Sequence, residues 1–127
     1  MIYMEKLNIL VVDDSQSFRE IITEFLKEQN EVGEVLTAKS GNEAIELLKK
    51  FLPNVILMDI VMPGLNGFET SEIIRKEHPL IPIIVLSGNE ITDADEMVKK
   101  LNLNGYISKL NIMRELMPMI FKSIRKN

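Results

Sequence analysis

The feature that most constrains the fold is a regular alternation of short apolar runs with longer segments of helical periodicity. Three runs are apolar along nearly their whole length, namely LNILVV (7 to 12), NVILM (54 to 58) and PIIVLS (82 to 87). Such runs, rich in Val, Ile and Leu, are typical of strands covered on both faces of a sheet. Two shorter runs, EVLTA (34 to 38) and GYIS (105 to 108), are predicted to be strands nearer an edge.

Helical patterns fill the segments between and after these strands. The clearest has apolar residues at i, i+3, i+4, i+7 and i+8 and is predicted to pack on the sheet through Phe18, Ile21, Ile22, Phe25 and Leu26. Ser40 and Glu43 have the spacing of a capping box that begins a second helix. The third and fourth helices are predicted in GFETSEIIRKE and DADEMVKKL. The predicted buried stripes of the second and fourth helices are Ala44, Leu47, Leu48 and Phe51, and Ala94, Met97, Val98 and Leu101.

The last helix is predicted from Ile112 to Arg125 and carries more apolar residues than one stripe needs. Its predicted inner face is Met113, Leu116, Met117, Ile120, Phe121 and Ile124, with Ile112 and Met119 left over. Core packing with methionine as flexible filler is one explanation. A docking surface for a partner helix is the other.

Strict alternation of strands and helices predicts an α/β fold with parallel strands, right-handed crossovers and helices on both faces of one sheet. The length of 127 residues, 46% of them hydrophobic, fits one globular domain, so a single domain over 1 to 127 without an output domain is expected. The absence of cysteine excludes disulfides and zinc-thiolate sites. The N-terminus has no signal-peptide features, so a cytoplasmic protein is expected, and a net charge of −4 argues against general nucleic-acid binding.

Polar side chains stand at the carboxyl ends of four predicted strands. Asp13 and Asp14 follow the first run, and Asp59 follows the third. Ser87 ends the fourth run, and Lys109 follows the fifth. Because ligands of an open parallel sheet bind outside these strand ends, we expect the five residues to share one pocket.

Each of these residues has an ordinary structural explanation, since acidic residues and serines often cap helices and lysines are usually solvated. Together, however, three carboxylates in a poorly solvated pocket repel one another unless a cation lies among them. Oxygen ligands of this kind suit Mg²⁺, or Mn²⁺ in its place. With Lys109 and Ser87 opposite, the pocket suits a phosphoryl group, and Asp59 is placed to attack phosphorus and become an acyl phosphate.

Nearly the whole chain resembles the receiver domains of two-component response regulators. The motifs that carry the resemblance are ILVVDDS with Arg19 following, AKSGNEAIELL, VILMDIVMPGLNGFE, IIVLSG and GYISK, in this order. The resemblance implies a flavodoxin-like (βα)5 three-layer sandwich with strand order 2-1-3-4-5. It also implies that a histidine kinase or a phosphotransfer protein supplies the phosphoryl group.

The resemblance further implies roles for individual residues. Asp59 is the expected phosphoacceptor, and Ser87 and Lys109 are expected to bind the phosphoryl group. Ser87 and Tyr106 form the expected switch, in which the hydroxyl moves inward and the ring moves into the vacated space. The expected Mg²⁺ ligands are Asp14, Asp59 and the Val61 carbonyl directly, and Asp13 through water.

Two positions depart from the family pattern. Lys109-Leu110 stands where the family usually has Lys-Pro with a cis peptide bond, so here the bond is either a costly non-proline cis bond or a trans bond with a different loop. Pro118 interrupts the last helical pattern, which is therefore expected to bend there or to begin close to it.

Three functions remain open on the sequence. The first is a stand-alone, non-enzymatic phosphorylation switch that binds a downstream protein through its fourth helix, fifth strand and fifth helix. It is expected to be a monomer or a phosphorylation-dependent dimer. It is not expected to bind nucleic acid or to insert into a membrane. The second is a phosphotransfer intermediate or phosphate sink, in which Asp59 hands its phosphoryl group to another histidine. A chain that cannot be phosphorylated would instead be a receiver-shaped binding module that works without phosphate. The third is a magnesium phosphatase, for which Val61 is a poor acid or base beside Asp59.

Overall fold

A computed structural model of the chain describes residues 5 to 88 and 93 to 125. The first four residues of the N-terminal stretch discussed above lie outside this part. The described residues form five strands, five α-helices and one short 3-10 helix. In chain order these are β1 Leu7–Val12, α1 Gln16–Lys27, β2 Val32–Ala38, α2 Gly41–Leu47, β3 Val55–Asp59, α3 Gly67–Glu77, β4 Ile83–Ser87, α4 Ala94–Lys100, β5 Gly105–Ser108, the 3-10 helix Lys109–Asn111 and α5 Ile112–Arg125.

The five strands form one parallel sheet in the order β2-β1-β3-β4-β5. This confirms both the predicted α/β class and the strand order that the resemblance implied. The central strands β1, β3 and β4 are the near-continuous apolar runs, because side chains on both of their faces are covered by helices. None of the helices in the described ranges is long and apolar enough to cross a membrane.

The sheet separates two apolar cores. Side chains of a strand alternate between faces, so Ile9 and Val11 of β1 face one core while Leu10 and Val12 face the other. The first core is closed by α1 and α5, and the second by α2, α3 and α4. This alternation decides the side of the sheet toward which each residue at a strand end points.

Local predictions for α1 and α2 needed correction. Ile21 is 53% exposed, although it was predicted in the buried stripe, because it lies at the end of the apolar arc away from the buried Leu26. Phe51 lies beyond α2, which ends at Leu47. The Ser40 side chain caps α2 as predicted by accepting from the Glu43 N–H. The Glu43 carboxylate, in contrast, accepts from the N–H of the residue before Ser40, so only half of the predicted capping box forms.

The last helix begins at Ile112 and continues past Pro118, so it does not begin near the proline. Pro118 is exposed, which places the missing backbone donor on the solvent side. The predicted face was also wrong in detail, since Ile112 is buried and Met113 is 50% exposed. Met119 is half-buried on the sheet side, where a Cβ on Gly105 would lie 2.5 Å from its sulfur. The side chain of Met119 therefore occupies space that glycine leaves in β5.

Candidate functional site

The carboxyl edge of the sheet brings together the chemically active side chains. Asp13 directly follows β1, Asp59 ends β3, and Lys109 directly follows β5. Each of them continues the alternation of the strand residues that face α1 and α5, since Val11, Leu57 and Ile107 lie in that core. The three side chains therefore converge on one side of the sheet, above the end of the α1–α5 core.

Three aspartates form an acidic cluster at this edge of the sheet. Carboxylate oxygens of Asp13, Asp14 and Asp59 lie within 4.8 Å of one another. Asp13 is fully buried and Asp59 is 4% exposed, whereas Asp14 is exposed. The cluster thus has two carboxylates shielded from water and one that opens it to solvent.

Lys109 supplies positive charge to the cluster. Its Nζ lies 2.5 Å from Asp13 Oδ2 and 3.4 Å from Asp59 Oδ1. One ammonium cannot neutralise three carboxylates, so the cluster keeps an excess of negative charge. The side chain of Lys109 is 21% exposed, which leaves these ion pairs only partly screened by water.

The Asp59 carboxyl carries the electrostatic strain of the cluster. Its pKa is raised from the usual value of 3.8 to about 6, first by burial and next by the nearby charge of Asp13, with a smaller contribution from Asp14. The charge and hydrogen bond of Lys109 act in the opposite direction without cancelling the rise. At neutral pH the carboxylate is mostly ionised, and it is held in an environment that favours any added cation.

Asp13 is fixed from several directions. Its Oδ1 accepts a hydrogen bond from the Ser15 N–H at 2.8 Å, and its Oδ2 accepts from Lys109. Arg19 Nη1 donates to the Asp13 carbonyl at 2.7 Å, and the Asp13 N–H donates to the Ala38 carbonyl at 3.0 Å. Both carboxylate oxygens therefore already have protein donors, and the backbone around them is clamped between α1 and β2.

The loop after Asp59 returns tightly to the sheet. A Cβ on Gly67 would lie 2.2 Å from the Asp59 carbonyl oxygen, so only glycine fits at the start of α3. Asn66 and Glu69 form a complete capping box on this helix, which the sequence analysis did not identify. Val61, on the outer part of the loop, has a side chain that is 64% exposed. Its carbonyl belongs to the same short loop that joins Asp59 to α3.

The Lys109–Leu110 peptide bond is trans, which decides between the two alternatives left open by the sequence. Lys109 begins the short 3-10 helix, and the Ser108 hydroxyl accepts a hydrogen bond from the Leu110 N–H at 3.3 Å. Leu110 is 88% exposed beside the site. With this loop the Lys109 ammonium still reaches both buried carboxylates.

Ser87 and Tyr106 lie on the other face of the sheet. Ser87 is fully buried at the end of β4, one residue beyond Leu86, the register partner of Asp59. Tyr106 pairs in register with Val85 and packs against the core closed by α2, α3 and α4. Because Val85 and Ser87 point to the same face, the tyrosine and the serine share that face on adjacent strands.

Sequence reasoning assigned Phe18 only to the apolar stripe of α1. In the structure the Lys109 Nζ also lies over its ring, 4.2 Å from the ring centroid. The periodicity of α1 predicts that the Phe18 side chain packs against the core, which it does. Its contact with a lysine about 90 residues later depends on the folded sheet, so no local pattern could have indicated it.

The sequence of the chain is similar to a family model and to known proteins. A family model described as the response regulator receiver domain matches residues 9 to 121. A protein-glutamate methylesterase/protein-glutamine glutaminase of Methanococcus maripaludis is 40% identical over 104 residues, which are 82% of this chain and 28% of that protein. The transcriptional regulatory protein DegU of Brevibacillus brevis is 36% identical over 104 residues, 82% of this chain and 44% of that protein. The chain therefore spans less than half the length of these relatives.

Two solved structures give the same result for the fold. The response regulator domain of Thermotoga maritima CheB has a TM-score of 0.80 and 30% identity, covering 96% of both chains. The Vibrio cholerae chemotaxis protein CheY4 has a TM-score of 0.78 and 26% identity, covering 95% of this chain and 98% of its own. Receiver domains are generally non-enzymatic, bind Mg²⁺ in an acidic aspartate pocket and interact with histidine kinases and downstream effectors. The cluster of Asp13, Asp14 and Asp59 offers the oxygen ligands that such an ion prefers.

Proposed function

Because the chain belongs to the response regulator receiver domain family, we propose that Asp59 accepts a phosphoryl group from a histidine kinase or phosphotransfer protein and that the modified chain signals by altered protein binding. The observation that carries the proposal is the position of Asp59. It is a nearly buried carboxylate at a strand end, with an ammonium at 3.4 Å and two further carboxylates beside it.

The acidic cluster supports a divalent cation as the cofactor, with Mg²⁺ first and Mn²⁺ as a substitute. Asp14, Asp59 and the Val61 carbonyl would hold the ion directly. Asp13 would hold it through water, because both of its carboxylate oxygens already accept protein hydrogen bonds. When bound, the ion would shield the negative charge on the phosphoryl oxygens.

Asp59 and Lys109 have different roles in the proposed phosphoryl transfer. An ionised oxygen of Asp59 attacks phosphorus, the new P–O bond forms, and the P–N bond to the donor imidazole breaks with its electron pair returning to nitrogen. A pKa of about 6 leaves Asp59 mostly ionised at neutral pH and therefore nucleophilic. Lys109, which is already beside this carboxylate, would neutralise charge on a transferred phosphoryl oxygen.

Ser87 and Tyr106 would convert the modification into a change of surface. The Ser87 hydroxyl would donate to a phosphoryl oxygen and move toward the strand end. Tyr106, which shares that face of the sheet on the neighbouring strand, would move into the space behind it. The face formed by α4, β5 and α5 would then present a different shape to a downstream protein.

We also propose that the chain acts as a stand-alone receiver rather than as a segment fused to an output domain. The intact mass of the natural protein in its own cells tests this directly. A mass near 14.6 kDa supports the stand-alone form, and a much larger mass would show a fused protein.

The test of phosphorylation is the intact-protein mass after incubation with acetyl phosphate and Mg²⁺. We expect a single phosphoryl adduct on the wild type and none on Asp59→Asn or on the wild type in excess chelator. Asp95→Asn, the same chemical change at an exposed position on α4, should be modified like the wild type. An adduct that persists in Asp59→Asn, or the absence of any adduct on the wild type, would contradict the proposal.

A further inference from the structure

The ring of Phe18 forms part of the surroundings of the Lys109 ammonium. The Nζ atom lies 4.2 Å from the ring centroid, within the range in which a cation is attracted to the face of an aromatic ring. Phe18 is half-buried and packs against the core closed by α1 and α5, so its ring is held in place from below. The ammonium therefore has an apolar contact on one side and the carboxylates of Asp13 and Asp59 on the other.

The backbone ties Phe18 to the same turn as Asp13. Ser15 caps α1 by accepting from the Phe18 N–H at 3.3 Å, and the Ser15 N–H donates to Asp13 Oδ1. The ring and the Asp13 carboxylate thus belong to one rigid turn. Lys109, by contrast, reaches this turn through a flexible side chain from the far end of the sequence.

The two carboxylates do not hold the ammonium equally. It is 2.5 Å from Asp13 and 3.4 Å from Asp59, so in the unmodified chain it is bound mainly to Asp13. To reach an oxygen of a group being transferred to Asp59, it must loosen its contact with Asp13. During that shift the ring of Phe18 is a contact that need not break, because an aromatic face attracts a cation over a broad area.

We propose that Phe18 is a positioning residue for phosphoryl transfer, whose ring keeps the Lys109 ammonium beside Asp59 when the contact with Asp13 is loosened. This inference rests on the proposed function of Asp59. Loss of the aromatic ring should therefore lower the rate of phosphoryl transfer, whereas the affinity for a divalent cation, which depends on the carboxylates, should not change.

The first experiment reads the ring contact without any phosphate. In protein labelled with ¹³C at the lysine ε-carbon, the ring current should move the Lys109 signal upfield of exposed lysines such as Lys99. We expect this shift to persist in Phe18→Tyr and to disappear in Phe18→Leu and in Phe18→Met, which keeps an unbranched apolar side chain. A Lys109 signal that coincides with those of exposed lysines in the folded wild type would overturn the inference.

The second experiment measures the rate of modification by acetyl phosphate. Phe18→Leu and Phe18→Met should lower the rate by about threefold to tenfold, as expected for loss of one partly desolvated cation–aromatic contact, and Phe18→Tyr should restore it. Phe25→Leu is the matched control, since Phe25 packs against the same core from the same helix. Affinity for Mg²⁺, measured by calorimetry on the unmodified variants, should be unchanged.

The outcomes separate this inference from the proposed function. If the wild type forms no adduct, the proposed function fails whatever Phe18 does. If the wild type is modified and Phe18→Leu and Phe18→Met match its rate, the positioning role is wrong. An equal loss of rate in Phe25→Leu would also overturn the inference, because it would assign the effect to weakened packing.

Discussion

Replacing Asp59 with asparagine should stabilise the metal-free protein. The substitution keeps the size of the side chain and removes a carboxylate that is buried beside two others. Lys109 keeps its closer partner, Asp13, at 2.5 Å. The difference in stability between the variant and the wild type therefore measures the free energy of holding one negative charge in the cluster.

The pKa of Asp59 gives the magnitude. A rise from 3.8 to about 6 corresponds to about 3 kcal/mol, at about 1.4 kcal/mol for each pKa unit. Between these two pH values the folded state binds more protons than the unfolded state, so stability falls as pH rises and stays lower above pH 6. Asp59→Asn should recover about 2 to 3 kcal/mol at pH 7.5, since the buried amide retains some desolvation cost, and should raise Tm by roughly 10 °C.

Thermal and urea unfolding, followed by circular dichroism in chelator, measure this difference. The gain should shrink as pH falls toward 4, where the wild-type carboxyl is protonated in the folded state. Added Mg²⁺ should also shrink it, because a cation that binds the native wild type stabilises that protein. Asp95→Asn, at an exposed position, should change stability little. An Asp59→Asn variant no more stable than the wild type at pH 7.5, or equally stabilised at pH 4, would refute the reasoning.

Three further predictions concern the scaffold around the site. Gly67→Ala should destabilise the chain by more than about 3 kcal/mol in urea unfolding, because its Cβ would lie 2.2 Å from a backbone oxygen. Gly88→Ala should be nearly neutral, because within the described residues, its chain neighbours aside, no atom lies within 4 Å of the added Cβ. Arg75→Met should cost about 2 to 4 kcal/mol in the same assay, since this side chain donates to oxygens of both the α3–β4 and α4–β5 loops, and a neutral result would contradict that role. Pro118→Ala should raise Tm, because it restores a backbone donor in the interior of α5 at an exposed position, and an unchanged or lower Tm would argue that the helix has already adapted to proline.

The order and type of the elements could be predicted because the signals are local. The first and fifth strands match their predicted bounds, and the last helix matches over Ile112–Arg125. The wrong predictions concern the burial of individual side chains, which depends on how a helix packs against its neighbouring elements. The sequence could not show that Ile112 faces the core while Met113 faces solvent, since that depends on how α5 is rotated against the sheet. The capping box of Asn66 and Glu69 was not hidden in this way, because these residues have the same three-residue spacing that predicts a box at Ser40 and Glu43.

For the site, the sequence by itself determined which side chains stand at the ends of the strands, because the strands are apolar and their polar ends are unmistakable. Period-two alternation fixes the two faces within each strand. The register between strands, which only the tertiary structure gives, places Asp13, Asp59 and Lys109 on one side of the sheet and Ser87 on the other. Only the tertiary structure decided the distances among them, the exposure of Asp14 and the contact of Lys109 with Phe18. These depend on how helices and loops far apart in the sequence settle on the sheet, and the pKa of Asp59 depends in turn on the burial and charges that this packing produces.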